Sequence, residues 1–387
     1  MNASKWSARL ERFLWSFLLA CGSFALQFDP GFPERFLKSR KHVLYCIAMT
    51  MAFAVGTPSV MVWIYLYGYI GFFPTETIMV AVQLCCIYLF MIVVNVKLLL
   101  NVDSLRSSLN DLFALRNTIR QKWVCNSGPA REYAQLLIFK IVVVDVVLLV
   151  FSLVTFYMTL DHRPSKAHVA VGACFSVFRY IITAFSNLYL VGLMIAILIQ
   201  ELINTKLTSF IKQCDEQFHA TLHDLYMMHC KTAEVEKQFM SIMNLPVLLL
   251  NCWYFLMIVT SVYYMYTSTM LEIKVQDLGV EDIVKYLNAL TFFLYLCLQL
   301  YCIVAIPAQY TERSKKMCSI LNTINRQCQS QRMERLLELI MLDCMRRNYS
   351  VTNYGLYEMD RTLLFGIIAT VTSYVIILVQ FHIQEYG

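Results

Sequence analysis

Charge is what this sequence has little of. Asp, Glu, Lys and Arg make up 15% of its 387 residues, where soluble domains carry about 25%. The shortage excludes a pair of ordinary soluble domains. It goes with long apolar runs and 58% hydrophobic residues, the composition of a chain that crosses a bilayer several times. Catalytic signatures are missing too. There is no Gly-rich phosphate loop, no Gly-x-Ser-x-Gly elbow and no membrane-embedded pair of catalytic carboxylates, so an enzyme is not expected. His219 and His223 share a helical face, but Ala220 stands where a His-Glu-x-x-His motif has its Glu. No third ligand follows, so neither a metal nor another cofactor is expected. No basic patch lies outside a membrane context, which argues against nucleic acid. The 14 cysteines are dispersed mostly through apolar segments, as at Cys85, Cys86 and Cys297, and read as buried thiols.

What is present is a succession of apolar stretches. Residues 1–41 open with Lys5, Arg9 and Arg12, followed by an apolar run at 13–28 and a turn at Asp29-Pro30-Gly31. That run is short for a span and reads as a segment at or dipping into the membrane; a signal peptide is the alternative. Spans are expected at 42–69 (kinked at Pro58), 76–100, 134–160, 166–200, 241–267, 286–308 and 362–381. Between them lie charged helical stretches at 101–132, 201–237 and 311–348. In the last, Met333, Leu336, Leu337, Ile340 and Cys344 fall on one helical face. The fold class is therefore an all-α integral membrane protein of seven transmembrane helices. Lys and Arg number 24 in the N-terminal segment and these charged stretches, against 3 in the opposite loops. The N-terminus is accordingly expected in the cytoplasm and the C-terminus outside. No inverted repeat of broken helices, the usual mark of a secondary transporter, is visible.

The last span carries the densest pattern. Gly366, Thr370, Ser373, Gln380 and Gln384 fall on one stripe, with Ile377 as its apolar member. Such a stripe either packs on another helix through small residues or lines water. Ser373-Tyr374, five apolar residues and Gln380-Phe381 resemble the C-terminal signature of the insect gustatory receptor family, Thr-Tyr-(five apolar)-Gln-Phe. The preceding run from Gly355 through Asp360, Arg361, Thr362, Leu363 and Leu364 resembles that family's Gly-hydrophobic-aromatic…Asp-Arg-Ser/Thr-Leu-Leu segment. The resemblance is close over residues 352–381; elsewhere only the layout of spans supports it. Ser373 stands where the family usually has Thr, and Val375 where sugar-sensing members tend to carry Glu.

The resemblance implies a multi-pass plasma-membrane receptor, a ligand-gated non-selective cation channel for a small organic tastant, of bitter rather than sugar type. It implies a tetramer, alone or with related co-receptor subunits, with each last helix lining a central pore. Thr370, Ser373, Ile377, Gln380, Phe381 and Gln384 are then the pore and gate residues. Residues 1–41 form a cytoplasmic or interfacial segment, 42–308 a six-span ligand-binding region with cytoplasmic extensions, 309–348 cytoplasmic anchor helices, and 349–387 a linker and the pore-lining span. A metabotropic seven-span receptor and a transporter are the rival classes.

Two ionisable groups sit deep in the spans, Asp145 and Arg179, at similar expected depths. Either they pair and lock two helices, or Arg179 faces a water-filled ligand cavity. Lys97 and Lys140 lie near span ends and are free to snorkel. Gln83, Tyr157, Ser176, Arg179, Tyr180, Tyr264, Asn288 and Phe292 are the ligand-pocket candidates, aromatic groups with hydrogen-bonding handles among the middle spans. The orientation is directly testable. A tag after Gly387 is expected to be stained on intact cells, and one before Asn2 only after permeabilisation; the reverse pattern rules out this topology.

Overall fold

Apolar runs with no buried partner for a bare backbone form helices, and in the computed structural model they form long ones. The structure describes residues 3–386 except 23, 32–33, 67–73, 124–126, 149, 152–153, 155–165, 211–217, 275–279 and 326–330; in some helical stretches beside these gaps it describes the backbone but not the side chains. Helix α1 is Ala3–Ala20, and a hairpin of β1 (Leu26–Asp29) and β2 (Arg35–Lys38) follows. Then come α2 (Arg40–Leu66), α3 (Pro74–Leu100), α4 (Val102–Lys122) and α5 (Ser127–Ile138), which runs into a π-helical turn at Phe139–Val144. The long helices are α6 (Lys166–Phe210), α7 (Phe218–Lys274) and α8 (Val280–Asn325). They are succeeded by α9 (Gln331–Arg346), a short hairpin of β3 (Thr352–Asn353) and β4 (Tyr357–Glu358), and α10 (Arg361–Tyr386).

Six described stretches are long and apolar enough to cross a membrane: Arg40–Ser59, Val82–Leu100, Val177–Ser209, Ala220–Tyr263, Tyr286–Asn325 and Arg361–Gln384. The remaining expected span begins in α5 and the π turn and runs on into residues outside the description. The charged helical stretches expected at 201–237 and 311–348 are carried largely by the long helices themselves: α6, α7 and α8 exceed a bilayer's thickness and pack on one another. Helix α6 is the axis of the subunit. Residues 181–200 are buried on every side, as a helix apolar all round must be. At Gly192 the approach of α7 is so close that a Cβ would meet the Phe239 ring at 2.5 Å.

The N-terminal apolar run is not one continuous segment. It breaks at Gly22, whose φ of +70° suits glycine, and the two pieces fold back on the subunit. Trp15 is buried in a cluster with Phe24, Phe28, Phe36 and Phe113 instead of anchoring at an interface. The turn at Asp29-Pro30-Gly31 is present, with the Gly31 N–H donating to Asp29 Oδ1 at 3.0 Å. The amphipathic face of α9 buries Met333, Leu337, Ile340 and Cys344, with Leu336 partly covered.

What fastens α1 to the bundle is a buried ion cluster. Arg116 on α4 donates to both oxygens of Glu11 at 3.1 and 3.2 Å and to Glu34, while the Tyr133 hydroxyl donates to Glu11 Oε1 at 2.7 Å. The guanidinium also lies 4.2 Å from the centre of the Phe113 ring. Burial pulls the Arg116 pKa down, but Glu11, Tyr133 and Glu34 outweigh it and hold it above the usual guanidinium value. Replacing Arg116 with Met strands the Glu11 carboxylate in an apolar pocket, a loss of about 3–5 kcal/mol. Thermal unfolding of the detergent-extracted protein is expected to shift down strongly for Arg116→Met and less for Arg116→Lys. Equal melting of Arg116→Met and the wild type refutes the role of the cluster.

Candidate functional site

Helix α10 begins from a built support. In the β3–β4 hairpin Tyr354 and Gly355 have φ of 51° and 69°, and the Leu356 N–H donates to Asn353 O at 2.9 Å. Two left-handed residues in succession match the twist of a tight hairpin, which is why glycine suits position 355. The hairpin is pinned to the bundle by Asn251, which donates to the Tyr357 hydroxyl at 2.9 Å, and by Tyr189, whose hydroxyl lies 3.2 Å from Met359 Sδ. Asp360 then caps α10: its Oδ1 accepts from the Thr362 N–H at 2.9 Å and the Thr362 hydroxyl at 2.6 Å. Gly355, Asp360 and Thr362 thus set where the helix starts and at what angle.

One face of α10 leans on α7 and α8. Leu364, Ile367, Val375 and Leu378 are partly covered there, and Val371 is 9% exposed. Tyr374 meets Phe255 edge-on at 5.7 Å, and His382 Nδ1 is 3.3 Å from the Tyr263 hydroxyl. At roughly 100° per residue, Gln380 lies opposite Val371, with Gly366, Ser373, Ile377 and Gln384 in the same sector. All of the pore candidates, Thr370, Ser373, Ile377, Gln380, Phe381 and Gln384, are exposed. The Thr370 and Ser373 hydroxyls donate to their own helix, at Gly366 O (2.7 Å) and Ala369 O (3.0 Å). Within the described subunit, then, the stripe does not pack on another helix.

A second polar constellation lies inside the bundle. Asp145 accepts from Lys140 Nζ at 2.6 Å, Asn187 Nδ2 at 2.7 Å and Gln299 Nε2 at 3.0 Å. The expected Asp145–Arg179 pair is therefore not formed, and the pair is Lys140–Asp145. Lys140 is 1% exposed and does not snorkel. The physical reason is the π turn at Phe139–Val144. On an α-helix residues five apart point to different sides, whereas the wider π turn, bonding i to i+5, stacks them. The Asp145 N–H accordingly donates to Lys140 O. Asn187, the partner of Asp145 on α6, stands eight residues beyond Arg179, about 12 Å along the helix. That offset removes Arg179 from reach.

Arg179 instead lies over two rings, 4.9 Å from the Phe151 centroid and 4.6 Å from that of Phe292. Of the pocket candidates the structure brings together Arg179 and Phe292, and it adds Phe151 and Tyr295. Gln83 is engaged elsewhere, donating to Thr260 Oγ1 at 2.8 Å. Tyr180 lines a different space, an apolar groove of about 290 Å³ between α1, the π turn and α6, with Phe13, Phe17, Val142, Asp145 and Asn187. Asn288 lies one turn from Phe292 on α8 and is partly buried. Tyr157 lies outside the described residues, and so do the side chains of Ser176 and Tyr264.

At the charged end, α6, α7 and the segment before the hairpin meet at His229. Its Nδ1 is 2.7 Å from Gln200 Oε1 and its Nε2 2.9 Å from the Tyr349 hydroxyl. The ring works as a hydrogen-bonding bridge between α6 and the segment before the hairpin. Nearby, the Tyr226 hydroxyl donates to Asp343, which also receives Arg347 Nε at 2.6 Å. Among the described residues no group of three His, Cys, Asp or Glu side chains is placed to hold a metal.

The model of the family described as 7tm Chemosensory receptor matches residues 11–385. The chain belongs to this family. It is a multi-pass plasma-membrane chemosensory receptor of the seven-helix class. The receptor's fold is similar to the structure of the insect olfactory receptor OR5 from Machilis hrabei in complex with eugenol. The two share 13% identity and a TM-score of 0.66 over 98% of this chain and 100% of that one. A second structure of the same insect olfactory receptor gives 12% identity and a TM-score of 0.66, over 97% of this chain and 98% of that one. No curated protein matches the receptor by sequence.

The rearranged charges give a discriminating test. Asp145→Asn leaves the Lys140 ammonium buried without its carboxylate, at a cost of about 3–5 kcal/mol, and surface biotinylation is expected to show little mature receptor. Removing both charges with Lys140→Met and Asp145→Asn is expected to recover part of the loss. Arg179→Gln breaks no ion pair and is expected to reach the surface. If Arg179→Gln is as damaging as Asp145→Asn, this assignment is wrong.

Proposed function

We propose that the receptor is a gustatory receptor acting as a ligand-gated, non-selective cation channel, assembled as a tetramer of itself or with related co-receptor subunits around its last helices. The observation that carries this reading is the orientation of α10. Its packed face holds Leu364, Ile367, Val371, Val375 and Leu378, while the stripe with Gln380 is turned away from its own subunit. An amide on a membrane-spanning helix is costly against lipid tails. A water-filled axis shared by four copies satisfies it without any new partner from the subunit. Four Ile377 side chains then make an apolar ring that closes by dewetting, and four Gln380 amides offer oxygens to a passing cation without a fixed charge. Phe381 lies beside the stripe and packs between neighbouring helices.

The gustatory assignment rests on Gly355 to Leu364 and on Ser373-Tyr374 with Gln380-Phe381. Val375 in place of the Glu of sugar-sensing members favours a bitter-type tastant. Eugenol, bound by the similar insect receptor, is a small organic molecule of the kind such a pocket takes. The ligand enters among the middle spans from outside, where Arg179 and Phe292 are candidate contacts. The charged ends of α6, α7 and α8, with α9, form the cytoplasmic anchor around the axis. Ligand binding opens the pore only insofar as the open state binds it more tightly.

Recordings from cells expressing the receptor test the pore. Ile377→Ser is expected to raise current in the absence of ligand. Gln380→Glu is expected to raise divalent permeability, and Gln380→Arg to suppress cation current. Val375→Ala, on the packed face, is expected to leave selectivity alone. Unchanged selectivity in both Gln380 variants at normal surface expression removes the stripe from the pore and with it the channel reading.

A further inference from the structure

The one cation in the middle of the bundle without a carboxylate partner among the described residues is Arg179. Asp145, the acid nearest in expectation, is already engaged by Lys140, Asn187 and Gln299. What surrounds the guanidinium is aromatic. Phe151 and Phe292 stack on each other with centroids 4.6 Å apart and planes at 24°, and Tyr295 continues the stack 6.2 Å from Phe292. The Tyr295 hydroxyl is taken up by Thr183 at 2.6 Å, and the Thr183 hydroxyl also donates to the Arg179 carbonyl oxygen at 2.8 Å. The ring faces attract the cation, yet they accept none of its five N–H donors in the way oxygen does. No described residue accepts a hydrogen bond from the Arg179 side chain. The residue keeps part of its surface exposed, which leaves its donors open to a visitor.

A permanent cation in such surroundings costs free energy until an anion reaches it. Evolution of a merely structural contact does not need that cost, since Gln or Met fills the same place beside the two stacked rings. The planar guanidinium fork matches a carboxylate with two parallel hydrogen bonds. A doubly charged phosphate fits less well, because Lys140, the other buried cation among the middle spans, is already committed to Asp145. The stacked rings offer a flat apolar wall to the rest of the molecule. We propose that the receptor's ligand is a small organic acid, its carboxylate paired with Arg179 and its apolar body against Phe151 and Phe292. This inference rests on the reading of the middle spans as the ligand site.

The test uses the full-length receptor in lipid nanodiscs and a panel of acids with their matched alcohols, such as cinnamate with cinnamyl alcohol and 3-phenylpropionate with 3-phenylpropanol. Binding is read as a ligand-induced rise in melting temperature and by calorimetry, without reference to current. The preferred acid is expected to bind roughly 10- to 100-fold more tightly than its alcohol, the worth of a charge-assisted hydrogen-bonded pair. Arg179→Gln is expected to abolish that preference while leaving alcohol binding in place. If Arg179→Gln fails to reach the membrane, Arg179→Lys decides: a point charge without the fork is expected to lower the preference several-fold. No acid binding anywhere in the panel, no preference for acids, or a preference unchanged in these variants overturns the proposal. Recordings separate it from the channel reading. Acid binding without current defeats the channel and leaves the acid site standing. Current evoked only by neutral compounds, with no acid preference in binding, defeats the acid site and leaves the channel.

Discussion

A carboxylate in the apolar middle of a helix bundle has to be matched atom by atom, and the matching of Asp145 sets the register of three helices. Lys140 comes from its own helix, Asn187 from α6 and Gln299 from α8. In a medium with no competing water each of these bonds counts for more than at a surface, and each lost one leaves a stranded group. The π turn at Phe139–Val144 is what makes the arrangement possible. It places an ammonium beneath a carboxylate five residues away and so lets one helix carry both charges with no net charge presented to the bundle.

With that register in place, the contrast between Asp145 and Arg179 becomes informative. Asp145 is held by three donors, and its cluster reads as a rivet between spans. Arg179, about 12 Å further along α6, meets ring faces and no oxygen partner among the described residues. The two groups look equivalent as letters in apolar runs. In the fold they differ in whether the side chain has oxygen or nitrogen partners among the described residues.

The same distinction separates the two faces of α10. Its start is over-determined by the hairpin turn at Tyr354-Gly355, the Asp360 cap and the contacts of Tyr357 and Met359. Its length is held by α7 and α8 along one face only. A helix fixed at its root and packed on one side is suited to small displacements of its far half. The anchoring side runs through α7 and α8, which also carry Phe255, Tyr263 and Phe292. The helices that hold α10 therefore also carry rings of the middle spans.

Much of this was legible in the amino-acid order. Hydropathy runs long enough to cross a bilayer need no tertiary information, and neither does the amphipathic period of Met333, Leu337, Ile340 and Cys344. The stripe on the last helix and the Gly355 to Phe381 signature could be read because helical spacing is local and a turn or cap needs particular residues. The fold-back of the N-terminal apolar run, the true partner of Asp145, the parting of Tyr180 and Gln83 from Arg179 and the choice of which face of α10 is covered were not. Each depends on residues far apart in sequence, or on a single extra residue in a helical turn that rotates everything after it by about 100°. The sequence by itself determined that this chain crosses the membrane many times and to which signature its last helix conforms, because burial and backbone hydrogen bonding act over short range. Only the tertiary structure decided which buried charge is satisfied and which is left open, because pairing is a matter of register between helices.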